Sequence, residues 1–355
     1  MVSQFGDVSV GGAERYIDEV CDRLPGYGLE LRHVFVNGKG RSADFSMPWS
    51  IASAGIHPRW NQQIDQLLSN FEPDVVYAHL TVPAFSEMVI LRAASRGLPV
   101  CAFYHSDVTG PDWSRQLAGW CYKRLLGRRV LAVLACLIVS SRTYLHRSSL
   151  LSGFRGELCV APPGVDTLFA QAERKPDKPY ILFVGKVGSA SKGFSLLFQA
   201  WQGLRAKGIE IDLVVAGEKS SSFERVEFVG HLSGREELAH LYASAMVTVL
   251  PSVSSAESFG MVLPEALVAG CPIITTDVGA GSDLVEPGRN GYLVPAGNVS
   301  ALHDAISQSL KNQEELRAYI LSNRSAYMRR FNWDKTAGKT AAILHSVACS
   351  NPSTP

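Results

Sequence analysis

Short apolar runs alternate with helical spacings along almost the whole chain, and this pattern limits the fold more than any other feature. Runs of strand length fall at residues 31–36, 75–80, 100–104 and 137–139, and again at 180–184, 211–216, 226–229, 246–250 and 272–276. Between them, residues 11–24, 59–68, 85–95, 194–204 and 235–242 carry apolar side chains three and four apart, as amphipathic helices do. Residues 290–295 read as a turn and short strand, two helices follow, and a last helix spans 336–347 before a loose tail at 350–355. Strands in strict alternation with helices imply an α/β fold of doubly wound parallel sheets. Ligands of such sheets bind beyond the carboxyl ends of the strands, which fixes where to look for chemistry.

The 355 residues exceed what one hydrophobic core supports, so two domains are expected. Residues 167–179, polar and charged with two prolines, are the expected linker. The expected division is residues 1–166, the linker, residues 180–335, and a C-terminal helix and tail at 336–355 that packs back on the N-terminal domain. Residues 1–5 supply only a short first strand, either a stub or the remnant of one that starts upstream. A balance of 34 basic against 33 acidic residues leaves a net charge of +1, so no global field attracts nucleic acid and any anion site is local.

Seven scattered cysteines form no CxxC and show no ligand-like spacing to the nine histidines, which argues against structural zinc and for a reducing compartment. No apolar run approaches the roughly 20 residues that a spanning helix needs. No secretory leader is recognisable, and a cytoplasmic protein is expected.

Chemistry-bearing residues recur at strand ends. Gly11 and Gly12 stand at the mouth of the first helix, where glycine lets backbone N–H groups approach a ligand closely. His105, with Ser106 and Asp107, ends the 100–104 strand, a position where histidine serves structure or ligand. Lys186 follows the 180–184 strand, and Lys192 opens the helix after it. Cations at helix N-termini oppose the helix dipole, and a bound anion would resolve the conflict.

The stretch 251–270, PSVSSAESFGMVLPEALVAG, is the most informative. It reads as the exit of a strand, a small-residue loop and a helix ended by Gly270. Glu257 and Glu265 stand eight residues apart, roughly 12 Å if all of it were helical, so they suit the two ends of an elongated ligand. Ser258, Phe259 and Gly260 offer backbone N–H groups to an anion between those ends. Taken alone, two glutamates near a helix start serve the dipole and nothing more.

Residues 113–129, WSRQLAGWCYKRLLGRR, mix two tryptophans and several leucines with five basic residues. Such a helix lies either on an anionic membrane surface or against the sheet with its basic face in water.

Taken in order, GGAER, HSD, APPGVD, FVGK with a downstream KG, and ESFGMVLPEALVAGCPIITTDVGAG resemble glycosyltransferase family 4 across nearly the whole chain, residues 251–281 most specifically. The pattern is similar to that of bacterial polysaccharide mannosyltransferases. The resemblance implies the GT-B fold, two Rossmann-like domains facing a cleft, and retaining transfer from a nucleotide-sugar to a glycan or lipid-linked acceptor. It implies that Glu265 binds the ribose, Glu257 the transferred sugar, and Lys186 and Lys192 the diphosphate. The N–H groups near Ser258, Phe259 and Gly260, with Gly11 and Gly12, assist, and His105 touches the donor sugar. No metal or cofactor is implied, the nucleotide-sugar being a substrate. The position of Lys186 is usually arginine in the family, and the loop from Lys186 to Lys192 is one residue longer than usual.

Two other readings remain: a soluble-acceptor enzyme of the sucrose or trehalose synthase type, and an inactive nucleotide-sugar-binding scaffold. A nicotinamide dehydrogenase fits poorly, since no G-x-G-x-x-G follows a first strand.

Overall fold

The computed structural model describes residues 1–3, 11–36, 49–51, 54–56, 59–80, 84–109, 112–175, 178–218, 224–230, 232 and 234–350. Residues 4–5 of the expected first strand and 351–355 of the expected tail lie outside them. The chain divides into one unit of residues 1–163 with 333–355, and a second of residues 164–332.

In the first unit, β1 (Val2–Ser3), β2 (Val34–Phe35), β5 (Val76–Leu80), β6 (Val100–Tyr104), β7 (Cys136–Val139) and β8 (Glu157–Val160) form a parallel sheet in the order β2-β1-β5-β6-β7-β8. An antiparallel pair, β3 (Trp49–Ile51) and β4 (Ala54–Ile56), stands apart from it. β5, β6 and β7 are buried at every position, as strands covered on both faces must be. Alternate residues serve the two faces: Val76, Ala78, Val100, Ala102 and Leu137 join a core with the Trp60–Phe71 and Phe85–Ser95 helices. The opposite face packs Phe103 against Tyr16 of the Gly12–Arg23 helix, whose ring also meets Trp333 of the last helix, Trp333–Cys349. That last helix is tied to the sheet by hydrogen bonds from Thr336 Oγ1 to the Pro162 carbonyl and from Lys339 Nζ to the Val160 carbonyl, at 2.5 and 3.1 Å.

The second unit repeats the plan. β9 (Tyr180–Val184), β10 (Asp212–Ala216), β11 (Val226–Gly230), β12 (Val247–Leu250), β13 (Ile273–Thr276) and β14 (Gly291–Val294) are parallel in the order β11-β10-β9-β12-β13-β14. Leu182, Val214, Leu250 and Ile273 face one core, and Ile181, Leu213, Val249 and Ile274 the other.

Two expectations need correction. The stretch 167–179 is not all connector, because Leu168–Gln171 is a helical turn and Phe169 is fully buried in the second unit's core. The helix after β12 begins only at Val262, since Gly260 adopts a left-handed φ of 75°, so Glu257 belongs to the loop and the all-helical rise between Glu257 and Glu265 does not apply.

Candidate active site

The residues expected at strand ends sort into two groups, one in each unit. In the second unit, the carboxyl ends of β9, β10, β12 and β13 carry four loops that fasten to one another. Gly193 is forced: its φ is 70°, and a Cβ there would stand 2.0 Å from the Pro251 carbonyl oxygen. The Val253 N–H donates to the Ser191 carbonyl at 2.9 Å, which completes the attachment of the β9 loop to the β12 loop. Gly279, at φ 59°, packs where a Cβ would meet the Glu257 carbonyl oxygen at 2.3 Å, and Ala280 N–H donates to Ser258 at 2.8 Å.

This fastening brings Lys192 and Glu257 together across 65 residues of sequence. Lys192 Nζ donates to Glu257 Oε2 at 2.6 Å, and the two side chains are 30% and 17% exposed. Ser252 Oγ, itself buried, lies 3.4 Å from the same oxygen. A second carboxylate attends the same β9 loop: Glu218, just past β10, accepts from the N–H of Val187 at 2.6 Å and from that of Gly188 at 3.4 Å. Lys186 is exposed and begins the turn in which Ser189 N–H donates back to its carbonyl.

Glu265 is buried, at 4% exposure, in the first turn of the Val262–Ala269 helix and accepts from Tyr242 Oη at 3.0 Å. A buried carboxylate is retained only where hydrogen bonds compensate its desolvation. The N–H groups of Ser258, Phe259 and Gly260 donate to no acceptor among the described residues. Phe259 turns its ring inward, edge-on to Phe331 with centroids 6.2 Å apart, which fixes the backbone of that segment. One ammonium paired with a carboxylate, a second ammonium in solvent and a row of open N–H groups can hold a polyanion.

In the first unit, Gly11 and Gly12 are exposed at the start of the Gly12–Arg23 helix, Gly11 as its N-cap with no side-chain capping bond. His105 is only 7% exposed, and its Nε2 lies 2.8 Å from Nδ1 of His79, which is fully buried in β5. Tyr16 meets the His105 ring edge-on at 5.6 Å, and Phe103 lies 4.5 Å away. Burial pushes His105 down to about 3 and His79 well below the usual histidine range, so both rings are neutral and one donates to the other. Asp107 accepts from Tyr104 Oη and Ser148 Oγ at 3.0 and 2.6 Å. Ser141 caps the helix Arg142–Arg147, while Ser140 Oγ is buried with no partner among the described residues.

The 113–129 segment is helix over Trp113–Tyr122, a π turn over Lys123–Gly127, then helix again from Arg128. Gly119 is pressed against the Val108 carbonyl, where a Cβ would come to 2.0 Å, and Tyr122 Oη donates to the buried Glu87 at 2.9 Å. Burial raises the Glu87 carboxyl despite that bond. The inward face is therefore Gly119 and Tyr122, and the outward stripe is Trp113, Leu117, Trp120 and Leu125, at 77, 51, 58 and 68% exposure. The helix turns apolar as well as basic side chains into solvent, unlike one packed on the sheet with only its basic face in water. Among the described residues no helix is long and apolar enough to cross a membrane, and no group of three His, Cys, Asp or Glu could hold a metal.

Sequence reasoning missed His79, Glu218 and Tyr242. The first was accessible: β5 pairs His79 with Phe103, and His105 lies two residues on, so both imidazoles share one face.

The chain resembles known proteins along most of its length. A family model described as glycosyltransferase family 4 matches residues 10–168, and one described as glycosyl transferases group 1 matches residues 165–325. A GDP-mannose-dependent alpha-mannosyltransferase of Mycobacterium tuberculosis (strain CDC 1551 / Oshkosh) is 32% identical over 74% of this chain and 70% of its own length. A phosphatidyl-myo-inositol mannosyltransferase of Mycobacterium leprae (strain TN) is 24% identical over 96% of this chain and 94% of its own. The sucrose-phosphate synthase structure from Thermosynechococcus elongatus superposes with a TM-score of 0.75 at 19% identity, covering 98% of each chain, which is a likeness of fold alone. With its two parallel-sheet domains of the GT-B fold and these relatives, the chain belongs to glycosyltransferase family 4 and is a glycosyltransferase related to mannosyltransferases.

Proposed function

We propose that the protein transfers a hexose, mannose from GDP-mannose in the first instance, to a lipid-linked glycan or polyol acceptor at a membrane surface, with retention of anomeric configuration and without a metal ion. The observation that carries this reading is the Lys192–Glu257 pair at 2.6 Å beside the open N–H groups of residues 258–260. It sets a cation for a phosphate next to a carboxylate for sugar hydroxyls. The mannosyltransferase relatives support the sugar, and the GDP-mannose dependence of one of them supports the base. UDP-sugars remain the alternative donors.

Transfer passes through an oxocarbenium-like transition state, and the departing diphosphate gains charge as the glycosidic bond breaks. Lys186, Lys192 and the N–H groups near Gly260 stabilise that charge where it develops. Glu265 binds the ribose hydroxyls, and Glu257 contacts the sugar. The acceptor hydroxyl attacks the anomeric carbon from the face that the diphosphate leaves, the carbon–oxygen bond to phosphate breaks, and a phosphate oxygen takes the hydroxyl proton. No enzyme nucleophile is required. The exposed Trp113, Leu117, Trp120 and Leu125 among basic residues support docking on anionic lipid.

The test is a donor panel of GDP-mannose, GDP-glucose, UDP-glucose and ADP-glucose, with acidic-lipid extract as acceptor source and EDTA present. Nucleoside diphosphate release from GDP-mannose, with an α-anomeric product by proton NMR, supports the reading. Release only with a soluble sugar acceptor, loss of activity in EDTA, or a β product refutes the corresponding part.

A further inference from the structure

The second unit meets its ligand with its own anion already in place. Lys192 is held by Glu257 at 2.6 Å, and neither partner is more than a third exposed. A carboxylate oxygen on a lysine ammonium is the same kind of contact that a phosphate oxygen would make there. Gly193 and the Val253–Ser191 bond hold the two loops together independently of the ion pair, so the pair can open without the loops separating. Glu218, by contrast, fastens backbone N–H groups of the same loop and is no rival for the lysine side chain.

We infer that Glu257 is an exchangeable competitor for Lys192 that makes the site discriminate between the intact nucleotide-sugar and the nucleoside diphosphate left after transfer. This rests on the donor-site reading above. The intact donor compensates both members of the pair: its phosphate takes Lys192 while its sugar hydroxyls donate to Glu257. The spent diphosphate brings no hydroxyl for Glu257, so the carboxylate returns to Lys192 and weakens the hold on the product. The same residue that positions the sugar thereby promotes product release and limits product inhibition.

The inference separates from a merely local charge effect by a double-mutant cycle on Lys192 and Glu257, read by isothermal titration calorimetry with GDP and UDP as probes. In Glu257→Gln the carboxylate is replaced by a neutral group of the same shape. Affinity for the better-bound nucleoside diphosphate is expected to rise about tenfold, a figure between the small worth of an exposed ion pair and that of a buried one. Affinity for the matching nucleotide-sugar should stay level or fall, so that the preference for donor over product collapses. In Lys192→Ala/Glu257→Gln the gain relative to Lys192→Ala should vanish. Unchanged diphosphate affinity in Glu257→Gln overturns the exchange and leaves the donor site standing. A gain that persists without Lys192 also overturns it, because the effect is then only the field of a removed charge. If the unaltered protein binds neither probe, the donor-site reading and the exchange both fall.

Discussion

Replacing Gly193 by alanine perturbs the site through one methyl group and touches no proposed ligand contact. The residue has φ 70°, and the added Cβ would lie 2.0 Å from the Pro251 carbonyl oxygen. An L-residue in the left-handed region costs about 1–2 kcal/mol. Relieving the overlap requires a shift of roughly 1 Å between the β9 and β12 loops, and overpacking of this kind costs typically another 1–3 kcal/mol. The expected loss of folding stability is therefore about 2–5 kcal/mol, measurable as a fall in the urea midpoint. The shift acts directly on Lys192, the preceding residue, whose ammonium stands at 2.6 Å from Glu257. A displacement of about 1 Å at a positioned group costs on the order of a hundredfold in rate. Stopped assays of nucleotide-sugar turnover, run at a temperature where the variant remains folded by circular dichroism, should show that loss in kcat/KM. A folded Gly193→Ala variant with kcat/KM within threefold of the parent would refute the reasoning that this glycine sets the Lys192–Glu257 geometry.

Other expectations concern separate parts of the molecule. His79 and His105 are held neutral in the folded state, with His105 near 3, whereas they titrate near 6.5 when unfolded. Between those values the unfolded chain binds more protons, so stability is fully present above pH 6.5 and is lost as pH falls, by up to about 1.4 kcal/mol per pH unit for each histidine. Urea titrations of the parent and of His79→Asn/His105→Asn between pH 7 and 5 should show a shallower dependence in the variant, and parallel slopes would contradict the buried neutral pair. Trp113→Ala/Trp120→Ala removes indoles that are 77% and 58% exposed. Burying one such surface in lipid is worth roughly 2–4 kcal/mol at about 25 cal/mol per Å2, so sedimentation with anionic vesicles should fall at least tenfold. Equal sedimentation would exclude the helix as the docking element. Glu265→Gln should weaken GDP binding about tenfold while leaving inorganic pyrophosphate binding unchanged, since a ribose contact is absent from pyrophosphate. Parallel losses for both ligands would place Glu265 elsewhere.

The parts of the fold that could be read from the sequence are those in which burial imposes a pattern. β6 and β9 match the apolar runs residue for residue, because both faces of each strand are covered and no polar side chain interrupts them. β8 was missed: Glu157 at its start is exposed and the rest only partly buried, as an edge strand permits, so no continuous apolar run marks it. The helical turn Leu168–Gln171 hides in a polar stretch because a single residue, Phe169, anchors it. The candidate site was legible as a set of residue types at strand ends, since topology alone brings those ends together. Its connections were not. Nothing local to Lys192 indicates a carboxylate 65 residues away, and nothing near Glu218 indicates that it serves the N–H groups of another loop. Such contacts depend on loop paths set by Gly193 and Gly279, whose left-handed φ is visible only in three dimensions.

The most direct measurement is a crystal structure of the protein with a non-transferable fluoro analogue of GDP-mannose. The expected result places the diphosphate on Lys192 Nζ and the N–H groups of residues 258–260, a sugar hydroxyl on Glu257 in place of the lysine, and the ribose on Glu265. A nucleotide bound elsewhere in the chain, or one bound here with the Lys192–Glu257 pair still closed, would contradict it.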